Sequence, residues 1–168
     1  GAPARATGRF PAHHVLTAAV SEPGIPDPRE STLRVEGDGL WGTRVAVPSL
    51  DLAVAVVVPA RDGLWLVDPS QARIEPGRAT NGDTAHTLHL EGTPATRIGG
   101  TPELEAWIAH AHVGIAALHL GLAQGALGLT ATYVRERHQF GRPIGSFQAV
   151  SQRIADAWID AAAIDVVV

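Results

Sequence analysis

Short apolar runs alternate with turn residues along the chain before Gly99-Gly100. The turn signals Gly37-Asp38-Gly39, Asp62-Gly63 and Asn81-Gly82-Asp83 stand at hairpin-like spacing between the runs. This pattern predicts a compact antiparallel β-barrel or sandwich of about seven short strands. The strands are predicted over residues 15–20, 33–35, 40–47 with a bulge or turn at Gly42, 53–58, 64–67 and 87–90.

A helical period replaces the strand pattern after Gly100. Thr101 is a suitable N-cap, and Pro102 stands at the first helical position. No helix breaker follows until Gly141, so one helix is predicted over residues 102–138. A helix of this length needs other helices to cover its apolar faces.

A second helix is predicted from Phe147 onward, with Ser146 as its N-cap. Two helices cannot close a bundle alone, so we expect either a fragment of a longer protein or helices supplied by other chains. The predicted fold class is α+β, an antiparallel β-barrel or sandwich domain followed by long antiparallel helices of an incomplete helical bundle. We assign residues 1–12 to an N-terminal segment, 13–100 to the β domain and 101–168 to the helical domain.

Composition narrows the function classes. The chain has 13 Lys and Arg residues against 17 Asp and Glu residues, and no basic stripe, so we expect no nucleic-acid partner. The absence of cysteine excludes disulfides, thiolate catalysis and thiolate metal sites. Residues 1–11 contain no apolar stretch of the signal-peptide type, and we expect a cytoplasmic protein.

An uncharged stretch, residues 113–134, is long enough to cross a bilayer. It also contains His119 and Gln124, and it has few large apolar side chains. Gly121 and Gly125 form a small-xxx-small pair, which brings helices close in soluble bundles as well as in lipid. We therefore predict a buried bundle helix and no membrane span, and a membrane-associated helical protein is the alternative.

Eight histidines raise the question of a metal site. His86 and His89 stand three apart on a predicted strand and so face opposite sides. His112 and His119 share a helix face, but no carboxylate joins them at metal-binding spacing. We predict no metal site.

The run from Tyr133 to Gln148 ends one predicted helix, makes a tight turn and opens the next helix. Within it, the Arg137 guanidinium could grip a pyrophosphate through two parallel charge-assisted hydrogen bonds. The nearby Phe140 suits a flat ligand. Structural explanations also exist, because the helix dipole favours an arginine near a C-terminus, Gly141 is an ordinary C-cap, and Phe140 and Phe147 could staple two helices together.

The β module, the long helix and the run Arg137-x-Gln139-Phe140-Gly141-x-Pro143-Ile144…Phe147-Gln148 resemble the acyl-CoA dehydrogenase family over residues 13–168. Ser21-Glu22-Pro23-Gly24 resembles the Thr/Ser-Glu-Pro turn of the family's middle β domain, and Trp41-Gly42-Thr43-Arg44 resembles the tail of its hairpin. The resemblance implies a flavoprotein that uses FAD for α,β-dehydrogenation of an acyl thioester, most simply a CoA thioester. It also implies a homo- or hetero-oligomer formed through the helical domain.

By the same resemblance, Arg137 contacts the pyrophosphate of an FAD that a neighbouring subunit mainly holds. Gln139 and Phe140 line that FAD, and Gln148 lies near its adenosine end. The Val20 backbone and Ser21 face the flavin ring.

The chain departs from the family pattern at three places. Pro26-Asp27-Pro28 replaces a Gly-Ser-Asp turn, Ala46-Val47-Pro48 replaces a Trp-Ile-Thr segment that covers the flavin, and His110 replaces an arginine. The family's catalytic glutamate usually follows the position of residue 168, so we assign no catalytic residue. A second hypothesis is therefore a non-catalytic, degenerate subunit that completes the FAD site of a catalytic homologous partner.

Overall fold

A computed structural model describes residues 14–166 of the chain. These residues form two compact units, the first ending at Trp107 and the second beginning at Ile108. The division falls within one long helix.

A seven-stranded mixed sheet forms the first unit. The strand order is β1-β4-β5-β7-β3-β2, and β6 also pairs with β7. The α+β class is confirmed, but the sheet is not purely antiparallel, because β1 and β4 pair in parallel. The strands are β1 (Val15–Ala18), β2 (Arg34–Glu36), β3 (Gly39–Val47), β4 (Ala53–Ala60), β5 (Gly63–Val67), β6 (Arg73–Glu75) and β7 (His86–Gly99).

The parallel pair arises because the chain makes a crossover between β1 and β4. A 3-10 helix (Pro28–Glu30) and the β2–β3 hairpin intervene, so β4 returns in the direction of β1. One isolated bridge, Ser21–Val45, joins the segment after β1 to β3. The described residues form this single bridge there rather than a continuous ladder of a closed barrel.

The length of β7 differs most from the prediction, which covered only residues 87–90. Its first half pairs with β3 and β6, and its second half pairs with β5. One strand thus serves two halves of the sheet, which a pattern of apolar residues alone does not reveal. The core between the halves contains eleven buried apolar residues: Ala19, Leu40, Val47, Leu50, Val56, Val58, Ala60, Trp65, Val67, Leu88 and Leu90.

The long helix, α1, spans Thr101–Glu136. The Leu104 amide donates to the Gly100 carbonyl at 3.0 Å, so Gly100 rather than the predicted Thr101 occupies the N-cap position. The Glu103 carboxylate in turn accepts a hydrogen bond from the Gly100 amide at 2.8 Å. This contact satisfies a backbone donor at the helix start, as in half of a capping box.

The second helix, α2, spans Gln148–Asp165. Its N-cap is Phe147, so the prediction of Ser146 as the cap is wrong. Ser146 instead ends a 3-10 turn (Ile144–Ser146), and its hydroxyl donates to the Pro143 carbonyl at 2.7 Å. The hydroxyl is therefore engaged before α2 begins.

Helix α1 is long and apolar enough to cross a membrane by length and composition alone. Several of its large apolar side chains are exposed, including Leu118, Leu122 and Leu129. The residues that the structure describes leave this face uncovered. Our expectation that α1 packs against further helices stays a prediction.

Candidate functional site

A tight hairpin connects α1 to α2. Strand β8 (His138–Gln139) pairs antiparallel with β9 (Arg142–Pro143) through a two-residue turn. The Ile144 amide donates to the Arg137 carbonyl at 2.8 Å and closes the hairpin at its base. We predicted a tight turn between two helices here, but not the two short paired strands that flank it.

The hairpin turn holds Phe140 in an unfavourable backbone conformation. Phe140 has φ +54° and Gly141 has φ +81°, and a type I′ turn requires positive φ at both central positions. Asparagine or glycine is the usual first residue, and a bulky residue in this conformation is an outlier. Because backbone outliers concentrate at functional sites, this position is a candidate for ligand contact.

The Phe140 side chain is 91% exposed. Its ring meets the edge of the Phe147 ring, with 6.1 Å between centroids and an interplanar angle of 86°. The Arg142 guanidinium lies 4.1 Å from the Phe147 ring centroid, within cation–π distance. Phe147 thus contacts both Phe140 and Arg142, while most of the Phe140 side chain remains exposed and open to a ligand.

Three arginines surround the hairpin, and they differ in their partners. The Arg135 side chain donates back to the Ala131 carbonyl at 2.9 Å, and Arg142 stacks on Phe147. Within residues 14–166, the exposed Arg137 guanidinium has no hydrogen bond or ion pair. Arg137 is therefore the member of the group that is free to bind an anion.

The other predicted residues of this corner lie at the surface. Gln139 is in β8, and Gln148 is the first residue of α2. Both side chains are exposed, and neither makes a hydrogen bond to the described part of the chain. Arg137, Gln139, Phe140 and Gln148 therefore present unpaired polar or aromatic groups on the hairpin and its two ends.

The second set of predicted site residues, Val20 and Ser21, lies in the first unit next to a tight turn. The Glu22 and Ile25 backbones exchange two hydrogen bonds of 3.1 Å around Pro23-Gly24. Gly24 has φ +75°, which glycine adopts at no steric cost. The Ser21 carbonyl accepts from the Val45 amide at 2.9 Å, which fixes the turn against β3.

A buried ion pair lies behind this turn and was missed by the sequence analysis. The Arg44 guanidinium lies 2.8 Å from a carboxylate oxygen of Glu22, and both side chains are almost fully buried. Both residues belong to the motifs quoted above, but their spacing gives no signal that they pair.

The pair is charged at neutral pH. Burial lowers the pKa of Arg44 to about 10, which still leaves it a cation. Burial alone would raise the pKa of Glu22, but hydrogen bonds from Ser31 and Thr32 and the Arg44 charge together lower it. Direct contacts therefore favour the Glu22 carboxylate, and the contact with Glu22 offsets part of the cost of burying the Arg44 cation.

Two hydrogen-bond donors remain unused at the turn. Neither the Val20 amide nor the Ser21 hydroxyl has an acceptor among residues 14–166. Both residues are half-buried. This donor pair fits a ligand that presents hydrogen-bond acceptors, as the flavin ring does.

The departures from the family pattern also have structural counterparts. Ala46 is an exposed residue with φ +55° in a bulge of β3, whereas Val47 is buried in the core. Asp27 caps the 3-10 helix Pro28–Glu30, and Arg29 pairs with Glu105 of α1 at 2.9 Å. The hydrogen bond from Arg29 lowers the pKa of Glu105. The altered segment thus contacts the start of α1 through a solvent-exposed ion pair.

A metal site and a surface cleft are two further candidates for a functional site. Among residues 14–166, no group of three or more histidine, aspartate or glutamate side chains could hold a metal ion. A cleft of about 840 Å³ opens along β4, β5 and β7, lined by residues such as Trp65, Asp68 and Arg97. None of the predicted site residues lines it.

Comparisons with known proteins agree with the resemblance. The acyl-CoA dehydrogenase C-terminal domain family matches residues 99–168. Acyl-CoA dehydrogenase FadE28 of Mycobacterium tuberculosis is 32% identical over 161 residues, which cover 91% of this chain and 46% of that protein. The chain thus spans less than half the length of this relative.

Solved structures extend the similarity to the fold. A variant of the Tcur3481-Tcur3483 steroid ACAD, an acyl-CoA dehydrogenase, matches with a TM-score of 0.84 and 38% identity over 91% of this chain and 45% of that chain. The ChsE4-ChsE5 complex of Mycobacterium tuberculosis matches with a TM-score of 0.77 and 32% identity over 89% of this chain and 43% of that chain. Sequence and fold agree, and the chain belongs to the acyl-CoA dehydrogenase family.

Proposed function

We propose that this chain forms part of an FAD-dependent acyl-CoA dehydrogenase, in which it supplies cofactor contacts and scaffold. The Arg137 guanidinium, which has no partner within residues 14–166, and the strained, exposed Phe140 three residues later in the chain carry the proposal. A free guanidinium next to an open aromatic ring suits a ligand that combines a pyrophosphate with flat rings. FAD has this chemistry.

Each candidate residue has one role in binding. On an FAD that a neighbouring subunit mainly holds, Arg137 binds the pyrophosphate, Phe140 covers a ring, and Gln139 and Gln148 offer hydrogen bonds, Gln148 near the adenosine end. In the other unit, the Val20 amide and the Ser21 hydroxyl donate to the flavin ring.

When bound, FAD supplies the acceptor for the hydride that leaves the β carbon of the acyl thioester. The chain's own residues bind and orient, and we assign the proton-abstracting base to none of the described residues. Fixing two donors on a rigid turn lowers the cost of reorganisation during the reaction.

The two related solved structures suggest the substrate and the partner. One relative is a steroid ACAD and the other is a two-component complex. We therefore propose a steroid-linked acyl-CoA thioester as the first substrate to test, and assembly with a homologous subunit. A cytoplasmic location and the absence of a membrane span remain part of the proposal, and purification without detergent tests the latter.

The alternative function is a non-catalytic subunit that completes the FAD site of a catalytic partner. The Ala46 bulge favours it, because alanine gives the flavin no aromatic cover and Val47 points into the core. Under this alternative, Arg137 and Gln148 still serve FAD, but the site around Ser21 stays empty. Flavin stoichiometry separates the two: one FAD per subunit supports the first, and one FAD per pair supports the second.

The test compares Arg137→Met with Arg135→Met in the full-length protein purified with its homologous partner. The two changes remove the same charge at the same helix end, but Arg135 is already bonded to Ala131. Because a hydrogen bond to a charged group contributes roughly 1.5–3 kcal/mol, Arg137→Met should weaken FAD binding by about 10- to 150-fold. Equal FAD dissociation constants for both variants would refute the role of Arg137.

A further inference from the structure

The fully buried Arg44 makes more contacts than an ion pair needs. Its guanidinium donates to the Val20 carbonyl at 3.0 Å and to the Ser31 hydroxyl at 3.1 Å, and it forms an ion pair with the Glu22 carboxylate at 2.8 Å. A further donation goes to the Pro59 carbonyl on β4. One side chain thus joins the turn after β1, the loop before β2 and the interior of the sheet.

These contacts bracket Ser21. Arg44 holds the carbonyl of the residue before Ser21 and the side chain of the residue after it. The Val45 amide, next to Arg44 in β3, holds the Ser21 carbonyl itself at 2.9 Å. The backbone around Ser21 is therefore fixed from the protein side by consecutive residues of one strand.

Glu22, the other member of the ion pair, is also held by several hydrogen bonds. The Glu22 carboxylate accepts from the Ser31 hydroxyl at 2.6 Å, from the Thr32 amide at 3.0 Å and from the Thr32 hydroxyl at 2.6 Å. A buried network in which nearly every group is satisfied is rigid, and a lost member leaves an uncompensated charge. Of the polar side-chain atoms described, the Arg44 Nε is buried without a partner, so the arginine is held by its two terminal nitrogens.

We propose that Arg44 is a positioning residue of the flavin-facing turn. It clamps the residues on both sides of Ser21, so that the Val20 amide and the Ser21 hydroxyl keep the direction needed to donate to the flavin. The inference rests on the proposed function, because it requires the turn to meet FAD. It adds that the donor geometry is set from the core and not by the exposed residues of the turn.

Arg44→Lys is the informative variant. Lysine keeps a positive charge for Glu22, but its single ammonium cannot reproduce the planar fork that reaches Val20 and Ser31 together. We expect the full-length protein with its partner to keep its circular dichroism spectrum. The FAD dissociation constant should rise about tenfold, as for the loss of one strong hydrogen bond, and the flavin reduction potential should shift.

Arg34→Lys is the matched control. The Arg34 guanidinium lies at the surface, 5.1 Å from the Trp41 ring centroid and 2.8 Å from Glu36. The chemical change is the same and the strand is adjacent, yet among the described residues no hydrogen bond or ion pair joins the Arg34 side chain to the turn. FAD affinity and reduction potential should stay at the wild-type values.

Ser31→Ala provides a milder second perturbation, since it removes one hydroxyl between Arg44 and Glu22 and leaves both charges. It should shift the same two readouts in the same direction by a smaller factor, and it decides the question if Arg44→Lys does not fold. The proposal is overturned if Arg44→Lys or, failing that, Ser31→Ala lowers the melting temperature but leaves FAD affinity and potential unchanged. Failure of the proposed function looks different, because wild-type protein would then retain no FAD in any complex.

Discussion

Replacing Phe140 with asparagine should make the protein more stable and its FAD binding weaker. Phe140 adopts φ +54°, and a non-glycine residue held in this region costs on the order of 1–3 kcal/mol. Asparagine followed by Gly141 is the favoured sequence of a type I′ turn and relieves much of this cost. The variant also loses the edge contact with Phe147, worth about 0.5–1.5 kcal/mol for an aromatic pair.

The exposure of Phe140 decides the balance between these two effects. Because the side chain is 91% exposed, the ring contact should contribute at the lower end of its range. The net result is a gain of roughly 0.5–1 kcal/mol in the free energy of unfolding. In urea unfolding of the flavin-free protein, the midpoint should rise with an unchanged slope, while titration with FAD should show a weaker dissociation constant.

Phe147→Leu is the control for this experiment. Phe147 has an ordinary φ of −83°, so its replacement relieves no strain and only removes ring contacts. It should lower the unfolding midpoint. If Phe140→Asn lowers the midpoint as Phe147→Leu does and leaves FAD binding intact, Phe140 is a hydrophobic staple and the argument from strain is refuted.

Three further predictions concern stability. Hydrogen bonds and the Arg44 charge lower the pKa of Glu22, so the stability that Glu22 contributes is present above its unfolded pKa and is lost as the pH falls below about 4.5. Glu22→Gln should therefore reduce the loss of unfolding free energy at acidic pH, and a pH dependence parallel to that of the wild type would contradict this. Gly63→Ala should lower the free energy of unfolding by on the order of 3–4 kcal/mol, because φ is +147° and the new methyl group meets the Gly99 carbonyl. Gly24→Ala places its methyl group in open space and should lower it by roughly 1–2 kcal/mol. Equal losses for the two variants in thermal unfolding would refute the clash at Gly63. Arg29→Gln should change the melting temperature little, and less still in high salt, because the Arg29–Glu105 ion pair is solvent-exposed. A large drop in the melting temperature would show instead that this ion pair anchors the segment around Pro28 to α1.

Strands were predictable where apolar runs alternate with turn residues. They were not predictable where pairing with a neighbouring strand determines whether a strand forms. The apolar run over residues 53–58 predicted β4, and turn glycines predicted the hairpins beside it. Strand β6 has one apolar residue, Ile74, between Arg73 and Glu75, so no period marks it. Its existence depends on the edge that β7 offers, which is a tertiary effect.

At the candidate site, the sequence identified residue types but not their geometry. Arg137 and Phe140 were named from a motif, yet the same motif also allowed a simple helix end. The structure shows that Phe140 occupies a glycine-like backbone conformation and that, in the described part of the chain, the Arg137 side chain lacks a partner such as Arg135 has. The role of Arg44 could not be predicted, because a buried pair between distant positions leaves no local pattern.

The parallel pairing of β1 with β4 has a consequence for the order of folding. Val15 pairs with Ala53, so this contact closes a long loop that contains a complete hairpin, β2–β3. The hairpin of β4 and β5 is local, and it should form first because its loop is short. Strand β1 is then expected to dock late, and pulse-labelled hydrogen exchange should protect β5 amides before those of β1. The turn that carries Ser21 would consequently be among the last parts of the first unit to become ordered during synthesis and refolding.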